Sequence, residues 1–157
     1  FLLEESAKGY NAVLIIDEAR LLSTDSLEQI RLLSNLETAT QKLLQILFVG
    51  QPELNALMNH PSLIQLRQRI AVRYHLPELN LTEVGQYVFH RLKVAGAKRN
   101  FFKPDAIARI HELSSGIPRV INVLADRAML AGYVKNTDEI SAALVECAES
   151  DLQGVSV

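Results

Sequence analysis

Two short runs of mostly apolar residues predict buried strands in the first half of the chain. They lie at about residues 12–16 and 43–49, and the second reads LLQILFV. Continuous apolar runs of this length are typical of parallel strands that are covered on both faces. The segment between them repeats an apolar residue at every third position, at Leu27, Ile30, Leu33 and Leu36. This spacing predicts an amphipathic helix, which Thr24 or Asp25 can cap, and the strand–helix–strand order predicts a parallel pair.

Beyond the second apolar run, the pattern predicts two short helices and a third strand. The helices lie at about 53–59 and 62–70, and the strand lies at 72–76, just before Pro77. A strand at this place needs a neighbour, because an open apolar strand edge is an aggregation template. We expect it to pair with residues outside this sequence, to shift directly onto 43–49, or to remain unpaired and poorly ordered.

After Asn80 the apolar spacing predicts four helices and no strand. Thr82 is the expected cap of the first helix, and Thr137 is the expected cap of the fourth. Pro104 and Pro118 are expected to open the second and third helices, because proline is favoured at the first helical position. The first three helices are each expected to stop at a glycine, at Gly96, Gly116 and Gly132.

The change of pattern divides the chain into residues 1–79 and 80–157. The 157 residues are 48% hydrophobic, which is enough for a buried core, and the net charge of -2 gives no global basic field that would attract nucleic acid. The single Cys147 cannot form an internal disulfide and fits a reducing compartment. No apolar run approaches the roughly 18 residues needed to span a bilayer, and no secretory signal is visible. We therefore expect a cytoplasmic location.

Two carboxylates, Asp17 and Glu18, directly follow the first predicted strand in VLIIDEA. A strand end holds side chains rigidly while the loop beyond it admits a ligand. One carboxylate there could position Mg²⁺ through its waters, and the next could orient a water for attack on a γ-phosphate. Gln51 follows the second strand at the same edge, where its amide could hold that water or the γ-phosphate. Taken singly, the acidic pair and the glutamine also fit an ordinary turn.

Three arginines are candidates for binding anions. Arg67 and Arg69 lie two apart on a short predicted helix and point to different faces, so a solvated helix face is the alternative interpretation. Arg119 lies in the first turn of the helix that Pro118 opens. A cation at a helix N-terminus is disfavoured by about 0.3–1 kcal/mol, which suggests that Arg119 serves an anion. The guanidinium group is suited to this because its fork of donors matches phosphate oxygens.

The remaining polar residues favour structural roles. The four histidines show no metal-ligand spacing, at His60, His75, His90 and His111. A small basic patch is more typical of a solvated turn than of a nucleic-acid contact; it comprises Lys93, Lys98, Arg99 and Lys103. Phe101 and Phe102 are expected to fill the helical core rather than to stack on bases.

Five motifs in a fixed order carry a family resemblance over about residues 10–133. They read VLIIDEA, LEQIRLLSNLET, ILFVGQPEL, LRQRIAVRYHL and SGIPRVINVLADRAML. In this order they closely resemble the AAA+ ATPases of the general secretion pathway protein A (ExeA) type, whose relatives include the MSHA pilus biogenesis ATPase MshM. The resemblance implies an α/β fold, with a partial P-loop NTPase (AAA+) parallel sheet in 1–79 and a four-helix lid in 80–157. It also implies ATP and Mg²⁺ as cofactors.

By this resemblance, Asp17 and Glu18 form the Walker B pair, with Asp17 on Mg²⁺ and Glu18 activating water. Gln51 corresponds to sensor 1. Arg69 is our choice for the arginine finger that acts on a neighbouring subunit's ATP, with Arg67 as the alternative. Arg119 corresponds to sensor 2, which reaches from the helical lid to the phosphates.

The sequence departs from the family in one large respect. The family's Walker A loop, GxxxxGK[ST], lies upstream of Walker B, and no glycine here is followed by Lys-Ser or Lys-Thr. The backbone donors and the lysine of that loop hold the phosphates. We therefore expect this chain to be the C-terminal part of an AAA+ domain that lacks the loop, inactive and not binding ATP by itself.

The resemblance implies that the parent protein is an ATP hydrolase that drives assembly of an envelope secretion or type IV pilus (MSHA-like) machine. Its expected partners are other copies, through the arginine-finger face, and secretion or pilus assembly proteins. Nucleic acid is not an expected partner, and contact with the inner membrane would come from regions outside this chain. The alternatives are a DNA-associated AAA+ ATPase of the transposition-helper type, which salt-dependent DNA binding would favour, and a non-catalytic interaction fragment.

Overall fold

The computed structural model describes residues 1–152 and residue 154, and it divides the chain into two compact units. Unit 1 comprises Phe1–Tyr74 and unit 2 begins at His75. Unit 1 is mixed α/β, whereas the regular elements described in unit 2 are helices. This architecture confirms the predicted fold class.

Unit 1 contains a parallel pair of strands with four short helices. Its elements are α1 (Leu2–Ala7), β1 (Ala12–Ile16), α2 (Thr24–Leu33), β2 (Leu44–Phe48), α3 (Glu53–Met58) and α4 (Ile64–Arg69), with single 3₁₀ turns at Ala19–Leu21 and Pro61–Leu63. β1 pairs with β2 in parallel with Leu14 opposite Ile46, which confirms the predicted pairing. A small apolar cluster from the helices anchors this unit, formed by Leu27, Met58, Leu63 and Leu66.

The sheet is covered on one face only within the described residues. Exposure alternates along both strands, so that Phe48 packs against the apolar cluster of α2–α4 while Val13 and Ile15 are 53% and 62% exposed. The expectation that both faces are covered is therefore wrong for this chain. A continuous apolar run indicates a strand that can be covered on both faces, and the helices of this unit reach only one of them.

The predicted strand at 72–76 does not form. Val72, Tyr74 and Leu76 are each at least 80% exposed, and residues 70–80 contain no regular element. A strand is defined by its ladder of hydrogen bonds to a neighbour, and the described chain offers this segment no such neighbour. Among the described residues the segment is unpaired, so the prediction that it shifts onto 43–49 is wrong, whereas pairing with residues outside this sequence stays a prediction.

The cap of α2 differs from the one predicted. Ser23 is the N-cap, and its Oγ accepts a hydrogen bond of 3.1 Å from the backbone N–H of Ser26. Thr24 and Asp25 are already inside the helix, so the prediction that one of them caps it is wrong. Serine is as good a cap as aspartate, and the sequence offered consecutive candidates.

The described residues of unit 2 form four helices around one apolar core. They are α5 (Leu81–Val94), α6 (Pro104–Ser114), α7 (Pro118–Val134) and α8 (Ala142–Leu152). Buried residues of all four helices meet in the core, and Phe102 lies among them while Phe101 packs against its edge. None of the described helices has the length and apolar composition that crossing a membrane would require.

Asn80, not Thr82, caps α5. The Asn80 side chain accepts from the backbone N–H of Glu83 at 3.0 Å, and the Glu83 carboxylate accepts from the N–H of Asn80 at 2.9 Å. This reciprocal capping box satisfies two otherwise unpaired backbone donors. Thr82 lies within the first turn, so the predicted cap is too late in the sequence.

Two expectations about the later helices are also wrong. Gly132 does not stop α7 but lies buried inside it, where a Cβ atom would come within 2.6 Å of Ile140 Cδ1. A glycine inside a helix costs only about 1 kcal/mol, and here it allows this close contact. Thr137 does not cap α8, which begins at Ala142, and the backbone N–H of Ala142 donates to the Asp105 carboxylate at 3.2 Å.

Candidate functional site at the strand ends

The carboxyl ends of β1 and β2 lie side by side because the two chain segments remain hydrogen-bonded beyond the strands. The N–H of Val49 donates to the carbonyl of Ile16, and the N–H of Ala19 donates to the carbonyl of Val49, each at 2.9 Å. Ala19 is fully buried. The turn that carries Asp17 and Glu18 is therefore fixed at both of its ends against the residue that follows β2.

Gln51 lies at the same edge of the sheet. A Cβ atom on the preceding Gly50 would come within 3.1 Å of Leu54 Cδ2 and 3.7 Å of the Ala19 nitrogen, so Gly50 approaches Leu54 closely and is in ordinary contact with Ala19. The carbonyl of Gln51 accepts from the N–H of Leu54 at 2.9 Å in the turn that leads into α3. Its exposed side chain makes no hydrogen bond to any residue that the structure describes. The amide is thus available to a ligand at this edge.

Each of the two carboxylates has one oxygen held by the protein and one left open. Asp17 Oδ1 accepts a hydrogen bond of 2.8 Å from the backbone N–H of Glu18. Glu18 Oε2 accepts one of 3.1 Å from Arg20 Nε. Over the described part of the chain, Asp17 Oδ2 and Glu18 Oε1 accept no hydrogen bond. The pair therefore presents two free carboxylate oxygens, the kind of donor that Mg²⁺ and its waters prefer.

The backbone at Glu18 is left-handed, with φ 50° and ψ 37°. This conformation is uncommon for a residue other than glycine and costs about 1–2 kcal/mol. It turns the chain from β1 directly into the 3₁₀ turn Ala19–Leu21, which brings Arg20 back toward the glutamate. Sequence reasoning missed Arg20, although its place two residues after Glu18 in the same predicted turn was a usable signal.

Arg67 and Arg69 lie in the last turn of α4 and contact different neighbours, as their spacing suggests. Arg67 Nη1 donates to Asn59 Oδ1 at 3.4 Å, and Arg69 Nη1 donates to Ser34 Oγ at 3.1 Å. The buried Leu66 on the same helix anchors α4 in the apolar cluster of unit 1. Neither arginine forms an ion pair among the described residues, so both charges remain available.

The electrostatic surroundings of Arg69 include a carboxylate on the loop after α2. A hydrogen bond from the Lys42 ammonium, together with its charge, lowers the pKa of Glu37, and the charge of Arg69 lowers it further. Because Lys42 is the main partner of Glu37, this carboxylate does not neutralise Arg69.

Arg119 is exposed in the first turn of α7, in unit 2. The helix starts with Pro118, and its N-cap Ile117 provides no side-chain hydrogen bond. Within the described ranges, the Arg119 guanidinium makes no hydrogen bond or ion pair. A free cation therefore stands at the end of the helix where the dipole disfavours it.

The turn before α7 is built around Gly116. This residue has φ +75°, and a Cβ atom on it would clash with the Leu79 carbonyl oxygen and come within 2.8 Å of the Leu79 nitrogen. The N–H of Leu79 donates to the Gly116 carbonyl at 3.0 Å, and the N–H of Gly116 donates to the Oγ of the buried Ser114 at 3.1 Å. The turn thus joins the start of α7, and with it Arg119, to the segment before α5.

Two of the four cations of the basic patch, Arg99 and Lys103, are paired with acids of unit 2. Arg99 pairs with Asp138 and lies over the ring of Phe101, at 5.4 Å from its centroid. Lys103 pairs with Glu139 at 2.8 Å, which raises the pKa of Lys103 and lowers the pKa of Glu139. These pairings favour the interpretation of a solvated turn.

No group of three or more His, Cys, Asp or Glu residues in the described chain is arranged to hold a metal ion.

Comparisons with known proteins agree with the family resemblance. Residues 2–58 match a family model described as an AAA domain. General secretion pathway protein A of Aeromonas hydrophila is 44% identical over 154 residues, which cover 98% of this chain but 28% of that protein.

The fold agrees with solved structures of RuvB from Thermotoga maritima. One mutant form of RuvB superposes with a TM-score of 0.67 at 16% identity, covering 99% of this chain and 50% of that one. A second RuvB structure, described as a Holliday junction branch migration motor, gives 0.57 at 14% identity, with 94% and 55% covered. At such low identity the likeness concerns the fold alone. The chain therefore has the fold of these RuvB structures, and over almost its whole length it is similar to General secretion pathway protein A, while residues 2–58 match an AAA domain.

Proposed function

We propose that this chain is the C-terminal part of an AAA+ ATPase domain, whose complete form we call the parent protein, and that Asp17, Glu18 and Gln51 form the reacting edge of its ATP site. The observation that carries the proposal is the hydrogen bond from Ala19 N–H to the Val49 carbonyl. It holds the acidic turn and the residue before Gly50-Gln51 together at the carboxyl edge of a parallel pair, where ligands bind in open α/β sheets.

The residues at this edge fit a magnesium-bound nucleotide. The open Asp17 Oδ2 would receive a water of the Mg²⁺ ion, because Mg²⁺ keeps several waters and prefers oxygen. The Glu18 Oε1 would accept a hydrogen bond from the attacking water and polarise it. The free Gln51 amide would hold that water or a γ-phosphate oxygen. When bound, Mg²⁺ would neutralise charge that develops on the phosphates.

The arginines would also act on bound ATP, one at the site of a neighbouring copy and one from the helical lid. We assign Arg69 as the finger that reaches the ATP of a neighbouring copy, with Arg67 as the alternative. Neither forms an ion pair with an acid among the described residues, and Arg69 is exposed whereas Arg67 is half-buried, which supports the choice of Arg69. We assign Arg119 as the residue that senses the phosphates from the helical lid, supported by its unpaired charge in the first turn of α7.

In this proposal, residues 1–79 are a partial AAA+ core and residues 80–157 are the helical lid. No glycine of this chain is followed by Lys-Ser or Lys-Thr, so in this proposal the phosphate-binding loop is not among these residues. The chain spans 28% of the length of General secretion pathway protein A. Without that loop, the chain alone would bind ATP weakly and would not hydrolyse it. The parent would act in the cytoplasm, self-associate through the finger face, and use ATP to assemble a secretion or MSHA-like pilus machine in the envelope.

Hydrolysis of ATP by the parent protein tests the proposal. Glu18→Gln keeps the shape of the side chain but loses its charge, so we expect ATP binding near that of the wild type and turnover lower by about 10²-fold or more. The matched control is Glu28→Gln, which removes a carboxylate paired with Arg31 on α2 and should leave turnover unchanged. Turnover of Glu18→Gln close to that of the wild type would refute the assignment.

A further inference from the structure

We infer that Arg20 is a positioning residue that holds the Glu18 carboxylate in the orientation used for water activation. This inference rests on the proposed function. The contact that motivates it is the hydrogen bond of 3.1 Å from Arg20 Nε to Glu18 Oε2, in an ion pair whose side chains are 33% and 50% exposed. It leaves Oε1 as the acceptor for a water.

The backbone between the two residues is held in place. Ala19 separates them, is fully buried, and donates its N–H to the Val49 carbonyl. Glu18 has a left-handed backbone, and Arg20 lies in the 3₁₀ turn Ala19–Leu21, whose end is closed by the Leu22 N–H on the Ala19 carbonyl at 3.2 Å. The guanidinium and the carboxylate are thus attached to a fixed frame. Their contact therefore restricts the orientation of the Glu18 side chain and does not serve to link two mobile segments.

A long side chain needs such a restraint to be effective in catalysis. Glutamate has several rotatable bonds, and the Glu18 carboxylate accepts from no other donor in the part of the chain that the structure describes. Holding a catalytic group in its reacting geometry lowers the barrier by removing orientational freedom. Because the guanidinium binds Oε2 and makes no hydrogen bond to Asp17 or Gln51, Arg20 should influence turnover more than nucleotide affinity.

The size of the effect is bounded by the nature of the contact. Partly exposed ion pairs are weak, and their energy corresponds to a factor of at most about five in an equilibrium or rate. We therefore expect Arg20→Ala to lower kcat for ATP by about two- to fivefold and to leave KM unchanged. Arg20→Lys retains a charged donor and should recover part of the lost kcat.

The experiment compares the parent protein with its Arg20→Ala and Arg20→Lys variants at saturating and limiting ATP. The matched control is Arg31→Ala, which removes an arginine from another Arg–Glu pair of unit 1 and should leave kcat and KM unchanged. Melting temperatures of all variants identify any loss of folding. If Arg20→Ala is unfolded, Arg20→Lys decides the matter, with a kcat below that of the wild type at unchanged KM expected and an unchanged kcat overturning the inference.

The results separate this inference from the proposed function. If the wild-type parent hydrolyses ATP and Glu18→Gln does not, while Arg20→Ala has an unchanged or raised kcat, the positioning role is wrong and the proposed function stands. A rise in KM at constant kcat would also overturn it, because it would mean that Arg20 contacts the nucleotide. If Glu18→Gln retains full turnover, the proposed function itself fails, and with it this inference.

Discussion

The N–H of Ala19 donates a hydrogen bond of 2.9 Å to the carbonyl oxygen of Val49, beyond the last paired residues of the two strands. This bond ties the turn after Glu18 to the residue that precedes Gly50 and Gln51. It explains how Glu18 and Gln51, which are far apart in the sequence, come to the same edge of the sheet.

Enlarging Ala19 should therefore disturb stability and activity together. Its side chain is fully buried, so Ala19→Leu must displace its neighbours, and overpacking of this kind costs about 1–3 kcal/mol. We expect this loss in the free energy of unfolding of the chain, measured with urea, and a reduced ATP turnover of the parent. Leu21→Ala is the control in the same 3₁₀ turn, because Leu21 is 72% exposed and should be replaceable at little cost. Equal stability of Ala19→Leu and the wild type would show that the turn is not held tightly.

Arg69→Ala should reduce turnover of the assembled parent while sparing nucleotide binding by a single subunit. Arginine fingers contribute about 10³–10⁵ in rate in other phosphoryl-transfer systems, so a fall of about 10³-fold or more is expected. Arg67→Ala is the matched comparison, because it lies on the same turn of α4 but contacts Asn59 instead of Ser34. A larger fall in turnover for Arg67→Ala than for Arg69→Ala would identify Arg67 as the finger.

Mixed assemblies test whether the finger acts between subunits. An Arg69→Ala subunit retains Glu18, and a Glu18→Gln subunit retains Arg69, so an interface that combines one of each can hold a complete site. We expect mixtures of the two inactive variants to recover part of the ATP turnover. No recovery in mixtures shown to co-assemble would exclude a role in trans.

Removing Arg119 should have opposite effects on stability and on function. Its cation lies at the unfavourable end of the α7 dipole and is without a partner in the described chain, so Arg119→Ala should raise the free energy of unfolding by about 0.3–1 kcal/mol. In the parent the same change should weaken nucleotide binding and lower turnover. The control is Arg127→Ala, in the middle of the same helix, which should change neither. A loss of stability in Arg119→Ala would mean that this residue is structural.

The spacing of apolar residues along the sequence was sufficient to predict β1, β2 and the four helices of unit 2. It gave wrong predictions for one strand and for burial, because both depend on which segment lies next to the one in question. The segment 72–76 has the composition of a strand but no partner in the described chain, and Val13 and Ile15 are apolar but lie on the open face of the sheet. Composition reports what a segment could bury, whereas burial depends on contacts that are distant in sequence.

The candidate site likewise contains residues that the sequence predicted and one that it did not. Asp17, Glu18 and Gln51 could be placed at one edge because parallel strands carry their carboxyl ends together. Arg20 was missed because its contact depends on the left-handed backbone of Glu18, a conformation that is rare for glutamate.

Two glycines of unit 2 differ in one respect that tests the turn before Arg119. Gly96 and Gly116 have similar left-handed backbones, with φ +90° and +75°. An alanine at either position is therefore strained by about 1–2 kcal/mol. A Cβ atom on Gly96 meets nothing within 4 Å, whereas one on Gly116 would clash with the Leu79 carbonyl oxygen. Only Gly116→Ala must push the Leu79 backbone away.

We therefore expect Gly96→Ala to lower the free energy of unfolding by about 1–2 kcal/mol and Gly116→Ala to lower it by at least about 3 kcal/mol. The additional loss in Gly116→Ala comes from displaced backbone and from the weakened hydrogen bond between the Leu79 N–H and the Gly116 carbonyl. Urea denaturation of the chain, followed by circular dichroism of the helices, measures both. Equal losses of unfolding free energy in the two variants would mean that the Leu79 backbone moves at no cost. The turn would then not fix the start of α7 or the position of Arg119.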